Sequence, residues 1–178
     1  MKKLVLTLLL VAACDASALA QKGMQGIGLA VGYSYFGDLK EDSHTLEASN
    51  AVAPGIKYYY FLSDHFRVEP SAYYFSNGDA SDSFGITGGL INLSAQYMLT
   101  TTNVKPYLFG RISYAHIAGK YNSGDRAGYG LGAGVECRVA YNWSLQADVA
   151  ASKFSHKPDH GKSIGWMVFP SLAVIYNF

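Results

Sequence analysis

The sequence predicts an all-β fold, an eight-stranded antiparallel up-and-down transmembrane β-barrel preceded by a cleavable signal peptide. Three observations carry this reading. Apolar residues alternate with small or polar ones at a period of two through eight segments, the pattern of strands with two different faces. The connections between those segments are alternately short and long, the asymmetry of barrels that cross a membrane. Charged residues make up only 15% of the chain, against about 25% in an average soluble domain, so these strands carry little with which to face water.

The first 20 residues have the three parts of a secretory signal. Lys2 and Lys3 form a basic end, residues 4–13 an apolar core, and Ala18-Leu19-Ala20 a small-x-small cleavage site. On this reading residues 1–20 are the signal peptide, and residues 21–178 form a single barrel domain beginning at Gln21. Cys14, after Val11-Ala12-Ala13, resembles a lipoprotein box and leaves an acylated N-terminus as the alternative. With Lys2, Lys3 and Asp15 removed from the 14 basic and 13 acidic residues, the remainder is neutral, so no nucleic-acid partner is expected. Beyond residue 20 no apolar run is long enough for a membrane helix. Cys137 is then the sole cysteine, which rules out an intramolecular disulfide.

The first strand is expected over 26–36, with Ile27, Leu29, Val31, Tyr33 and Tyr35 on one face and Gly28, Ala30, Gly32 and Ser34 on the other. The second, 52–62, sets Ile56, Tyr58, Tyr60 and Leu62 against Gly55, Lys57, Tyr59 and Phe61. After the turn Ser63-Asp64-His65 comes the third, 66–75, with Arg67, Glu69, Ser71 and Tyr73 on its more polar face. The fourth covers about 84–99 and ends at the polar turn 100–103. The fifth, 104–117, places Arg111, Ser113 and Ala115 opposite Leu108, Ile112 and Tyr114. The sixth, 127–140, alternates Gly128, Gly130, Gly132, Gly134, Glu136 and Arg138 with Tyr129, Leu131, Ala133, Val135, Cys137 and Val139. After Tyr141-Asn142 the seventh, 143–152, sets Gln146, Asp148 and Ala150 against Leu145, Ala147 and Val149. The eighth runs 164–178. Counting back in twos from Phe178, through Tyr176, Val174, Leu172, Pro170, Val168 and Trp166 to Ile164, every residue is apolar or aromatic. Its 15 residues are long for a soluble strand and sufficient to cross a hydrocarbon core at a tilt. The longer connections are 37–51, 76–83, 118–126 and 153–163.

Alternation does not by itself say which face meets lipid. A soluble lipocalin-type barrel has the same strand number with the faces reversed, but the early Gly-x-Trp of that family is missing here, since the tryptophans are Trp143 and Trp166. The polar face is mostly Gly, Ala and Ser with a few isolated charges, which suits a narrow interior. Lys57, Arg67, Arg111 and Arg138 stand against Glu69, Glu136 and Asp148, so an interior network of opposed charges is expected, because buried charges must be paired. Tyr35, Tyr97, Trp143, Trp166 and Tyr176 lie near strand ends on the apolar face, where amphipathic rings collect at lipid–water interfaces. Slipping the third strand by one residue would aim Arg67 at lipid, at about 2–4 kcal/mol near mid-membrane.

The signal segment, the eight amphipathic strands and the terminal Phe178 together resemble the small outer-membrane β-barrel family of the OmpA transmembrane domain and OmpX. The resemblance implies residence in the lipid of the outer membrane of a Gram-negative bacterium, with both termini periplasmic. It also implies that the barrel-assembly machinery reads the last strand through Leu172, Val174, Tyr176 and Phe178. The peptidoglycan-binding domain of full-length OmpA is not matched, so wall anchoring is not implied.

No catalytic residue, cofactor or metal site is expected. The glycine run 128–134 has neither the following helix nor the Lys-Ser/Thr of a nucleotide loop, and reads as a wall making room for long side chains opposite. Of His44, His65, His116, His156 and His160, the pair His156/His160 with Asp159 lacks a third clear ligand. Neither His116 nor His156 begins the His-x-Ser motif of lipid A deacylase barrels. An eight-stranded barrel holds side chains but no wide aqueous pore. The expected role is therefore structural or in surface interaction, with an unknown partner met by the acidic loop 37–51 and the mildly basic loop 153–163. A lipid A-modifying enzyme and a narrow ion channel are the alternatives.

Overall fold

The computed structural model describes residues 21–36, 39–41, 44–46, 50–77, 86–119, 124–156 and 163–178. The expected signal segment, Cys14, Asp159, His160 and the side chains of His44 and His156 lie outside the described set.

Eight strands form the wall: β1 Gln25–Phe36, β2 Ala51–Phe61, β3 Phe66–Asn77, β4 Ile86–Met98, β5 Val104–Gly119, β6 Gly124–Ala140, β7 Trp143–His156 and β8 Ser163–Asn177. Each pairs antiparallel with its neighbours in sequence, and β1 closes the barrel against β8. The closing register runs from Gly26↔Asn177 to Phe36↔Met167. Closure leaves no unpaired strand edge to face lipid. At the seam's lower end Phe178 donates its N–H to the Gln25 carbonyl at 2.9 Å, and Gln25 N donates back to the Phe178 carbonyl at 3.2 Å. A short hairpin of Leu39–Glu41 and His44–Leu46 lies within the first long connection.

Three connections are short. Between β2 and β3, Leu62 N and Ser63 N both donate to the Phe66 carbonyl, at 2.9 and 3.1 Å. Between β4 and β5, the Thr100 and Thr102 hydroxyls each donate to the Val104 carbonyl at 2.8 Å. Between β6 and β7 only Tyr141 and Asn142 intervene.

Of the connection 118–126, expected to be a loop, the described residues 118, 119 and 124–126 are strand. Pairing of β5 with β6 continues up to Ile117↔Gly124, through His116↔Asp125, and β7 likewise runs on to His156. The apolar alternation stops where the lipid contact stops, while backbone pairing needs no apolar side chain and continues beyond it.

The two faces are sorted as the period-two pattern requires. Ile27, Leu29, Val31, Ile56, Ile91, Leu93, Leu108, Ile112, Leu131, Leu145 and Leu172 all point outward and are exposed on the isolated chain. Aromatic residues flank this belt: Tyr35, Tyr74, Tyr114, Tyr129 and Trp166 toward the long loops, and Tyr60, Phe66, Tyr97, Trp143 and Tyr176 toward the short turns, all exposed. Along β8, Trp166 and Tyr176 are ten residues apart, about 33 Å of strand. At the usual tilt of about 40° that is about 25 Å of membrane thickness, the height of an outer-membrane apolar band.

Candidate functional site

The barrel interior is the most chemically distinctive part of the protein. Its inward-facing residues stack in three zones. Nearest the short turns lie Tyr59, Phe61, Met98, Tyr107 and Phe109, all buried. Tyr59 meets Phe61 edge to face at 5.4 Å between ring centroids. Toward the long loops lie Tyr73, Phe75, Leu90, Ile117, Phe154, Met167 and Phe169, also buried, with Tyr73 edge-on to Phe169 at 4.9 Å. A charge network sits between and among these rings. The interior is more aromatic than the Gly, Ala and Ser face expected from sequence, because β2, β3 and β5 each send two rings inward.

Glycines opposite make room for these rings. A Cβ added at Gly132 would lie 2.2 Å from Phe109, one at Gly134 2.4 Å from Tyr107, one at Gly128 2.7 Å from Phe154, and one at Gly32 2.1 Å from Phe169. The alternate-glycine pattern of β6 is therefore a floor for side chains arriving from β5 and β7.

Within the network Lys57 Nζ is 2.5 Å from Asp148 Oδ2 and 3.6 Å from Glu69. Arg67 is fully buried and binds Glu136 through Nη1, lies 3.6 Å from Glu69, and donates from Nε to Gln96 Oε1 at 2.6 Å. Its guanidinium also stacks over Tyr59, with 4.4 Å to the ring centroid. Gln146 Nε2 donates to Glu69 at 3.0 Å and to Asp148 at 3.1 Å. Tyr107 OH and Ser171 Oγ donate to Asp148 at 3.1 and 2.8 Å. Arg111 is the most distant member, 3.9 Å from Asp148 Oδ1.

Six of the seven charges proposed for the interior from sequence are thus brought together: Lys57, Arg67, Glu69, Arg111, Glu136 and Asp148. Arg138 is not among them. A register shift between Arg138 and Ala140 breaks the β6–β7 ladder there, and Arg138 turns to the rim, donating from Nε to the Tyr141 carbonyl at 3.0 Å. Lys105, not among the residues proposed from sequence, joins the network, 3.3 Å from Glu136 Oε1. Its signal in the sequence is parity, since Lys105 shares a face with Tyr107, Phe109 and Arg111. Arg126, which falls in the connection expected over 118–126, is buried inward. The expected set of four cations against three carboxylates becomes a larger cationic surplus. Among the described residues five cations and three carboxylates are buried, namely Lys57, Arg67, Lys105, Arg111 and Arg126 against Glu69, Glu136 and Asp148.

Of the residues proposed as an assembly signal, Leu172, Val174, Tyr176 and Phe178 all lie on the outer face. Tyr176 packs edge-on to Trp143 at 5.2 Å and accepts a hydrogen bond from Asn142 at 3.0 Å. At the rim near the short turns, Asp64 accepts from Gln21 N at 2.7 Å and from Lys22 N at 3.1 Å. These two backbone donors hold its carboxyl below the usual carboxylate range. At the opposite rim His116 Nδ1 and Asp125 Oδ1 are 2.7 Å apart on the outer face. The sequence offered no hint of this pair, because the partner comes from the next strand. No group of three or more metal-ligating side chains occurs among the described residues.

The same architecture recurs in solved structures. Neisserial surface protein A aligns with a TM-score of 0.63 at 19% identity, over 86% of this chain and 99% of that one. The outer membrane protein OprG of Pseudomonas aeruginosa aligns at 0.58 and 14% identity, over 92% and 99%. The N-terminal β-barrel domain of OprF from the same organism gives 0.57 and 22%, over 90% and 100%. At these identities the likeness is one of fold. No curated protein matches the sequence significantly. The family model for the outer membrane protein beta-barrel domain matches residues 6–169, and the chain belongs to that family.

Proposed function

We propose that this protein serves the outer membrane as a closed structural barrel that presents its long loops to partners outside the cell, without catalysis and without conduction. The observation that carries the reading is the filled bore. Buried aromatic and aliphatic side chains fill the bore among the buried ionic groups and on their long-loop side, so a hydrated ion moving along the axis would have to displace packed rings. Loops on a rigid scaffold are where recognition by such a protein sits. Gln21 and Phe178, the two ends of the described residues, lie at the short-turn end, which is periplasmic in this family's usual orientation. The outward row Leu172, Val174, Tyr176 and Phe178 is the surface offered to the barrel-assembly machinery during insertion.

The experiment is planar-bilayer conductance of the purified protein beside binding of loop-grafted and loop-deleted cells to host or envelope extracts. Absence of discrete current steps, with binding lost only on loop deletion, supports the proposal. Reproducible steps abolished by substitution of Arg67 or Asp148 would replace it with a narrow channel.

A second reading has one specific observation in its favour. The exposed His116–Asp125 pair orients an imidazole as hydrolases do, at the end of the barrel where lipid A headgroups lie. Mass analysis of lipid A from cells with and without the protein tests it, and an unchanged profile ends it.

A further inference from the structure

We propose that the outer wall of the barrel over β6, β7 and β8 holds one molecule of lipid A, with a phosphate on Lys153 beside Trp166 and one acyl chain in the shallow apolar groove that crosses Ala147.

The first argument is charge. Among the described residues of the eight wall strands, the outward-facing positions carry three residues of the Asp, Glu, Lys, Arg and His set: His116, Asp125 and Lys153. His116 and Asp125 lie 2.7 Å apart and answer each other. Lys153 is answered by no described carboxylate; its ammonium stands 5.8 Å from the centroid of the Trp166 ring. The register sets Lys153 between Trp166 on β8 and Tyr129 on β6, both outward and exposed. Ten residues of β7 separate Lys153 from Trp143, the same interval as from Trp166 to Tyr176. The ammonium therefore stands in the aromatic girdle at the long-loop end, at headgroup depth. A long cationic side chain in that position carries its charge among lipid headgroups while its stem lies on apolar surface, and an ammonium makes a charge-assisted hydrogen bond to a phosphate oxygen.

The second argument is shape. Below Lys153 the outward residues of β7 are Ala151, Val149 and Ala147. Ala151 lies between Leu131 and Val168, and Ala147 between Val135 and Leu172, each alanine flanked by two larger side chains. Beyond Ala151 lies a groove lined by Ala133, Val135, Ala147, Val149, Pro170 and Leu172, which continues past Leu145 and Val174. Lys153 and Ala147 are six residues apart, about 20 Å of strand, or about 15 Å of depth at a tilt of about 40°. That is one leaflet of a hydrocarbon core about 30 Å thick. A chain hung from a phosphate at Lys153 ends in the groove.

The third argument is that one occupant explains both features. Inorganic phosphate would answer the ammonium and leave the groove open. A purely apolar partner would fill the groove and leave the ammonium unanswered. A lipid with a phosphate and straight chains does both. The choice of lipid A rests on the long loops facing outside the cell, as proposed above, since that leaflet is where lipid A resides.

The test is native mass spectrometry of the full mature protein folded in neutral detergent micelles and titrated with bisphosphorylated lipid A. One lipid should stay bound per barrel at low molar ratio. Lys153→Gln should weaken that binding about tenfold, the loss of a hydrogen bond to a charged group, and Ala147→Phe, which fills the groove, should weaken it severalfold. Lys22→Gln, at the opposite rim, should leave it unchanged. Fully dephosphorylated lipid A should bind the wild type no better than intact lipid A binds Lys153→Gln, and inorganic phosphate should not compete. Equal affinity of the wild type and Lys153→Gln, or undiminished binding in Ala147→Phe, would overturn the proposal. So would displacement by inorganic phosphate, or phosphatidylglycerol bound as tightly as lipid A, results that assign the site to free phosphate or to phospholipid. Both substituted positions face outward, and the gel shift of the unboiled barrel reports whether each variant folds; should Ala147→Phe fail to fold, Lys153→Gln and the dephosphorylated lipid decide the matter. The titration reads binding in micelles whichever way the loops face, so this site and the loop-recognition reading can fail separately.

Discussion

Replacing Glu136 with Gln takes the nearest carboxylate from two cations, Arg67 and Lys105, while keeping the shape of the side chain. Glu136 has no exposed surface; one of its oxygens binds the fully buried Arg67, and the other lies 3.3 Å from Lys105. Removing one partner of a buried ion pair typically costs about 3–5 kcal/mol, because the charge left behind is neither hydrated nor paired. Against a total stability of about 5–15 kcal/mol, this is a large fraction. With a urea slope of about 2 kcal/mol per molar, the midpoint should fall by about 2 M. The assay is equilibrium unfolding in micelles, followed by fluorescence of the outward-facing Trp143 and Trp166 and by the gel shift of the unboiled barrel. A loss below about 1 kcal/mol, the range of solvated surface pairs, would mean that water reaches the network. The packed-bore argument would then fail.

Three other perturbations test separate parts of the account. Gly32→Ala puts a methyl group 2.1 Å from the Phe169 ring; the expected cost is about 1–3 kcal/mol, and Phe169→Leu should recover part of it in the double variant, as measured by the same urea transitions. Phe178→Ala removes an outward ring that is 61% exposed on the isolated chain; refolded stability should change little while the amount of barrel assembled in cells drops severalfold, as quantified in outer-membrane fractions. Asp64→Asn removes a carboxylate whose pKa is lowered by the Gln21 and Lys22 amides. A depressed acid contributes stability above its ordinary value and loses it as pH falls through its folded value. Wild type should therefore exceed the variant in melting temperature at pH 7, and the two should converge at acid pH. Cleavage after Ala20 would enlarge the gap by making Gln21 N an ammonium.

The strand order, the faces and the terminal row were legible in the sequence because a barrel wall uses the simplest code available, one residue in and one residue out. In β8 every outward position from Trp166 to Phe178 was recoverable by parity alone. The misassignments fall where something other than parity decides. Arg138 belongs to the inward set by counting, but a break in the ladder two residues before the turn sends it to the rim. Lys105, at the start of its strand, was left out of the interior set, yet its parity carries it to Glu136. Asp125 and Arg126 lie beyond the apolar belt, where alternation no longer reports on strand pairing, so the His116–Asp125 contact was invisible. Which carboxylate each cation chooses depends on side chains crossing the bore from strands far apart in sequence, and no local pattern encodes it.

The central claim is that Leu131 and its outward neighbours touch acyl chains while Glu136 and its inward neighbours do not touch water. Its most direct test is fluorescence of a single tryptophan at Leu131, which is 74% exposed on the isolated chain, with Trp143 and Trp166 changed to Phe. In bilayers of lipid brominated at mid-chain, strong quenching by the bromines and none by aqueous iodide is predicted. Quenching by iodide, with indifference to the brominated chains, would turn the barrel inside out and contradict the account.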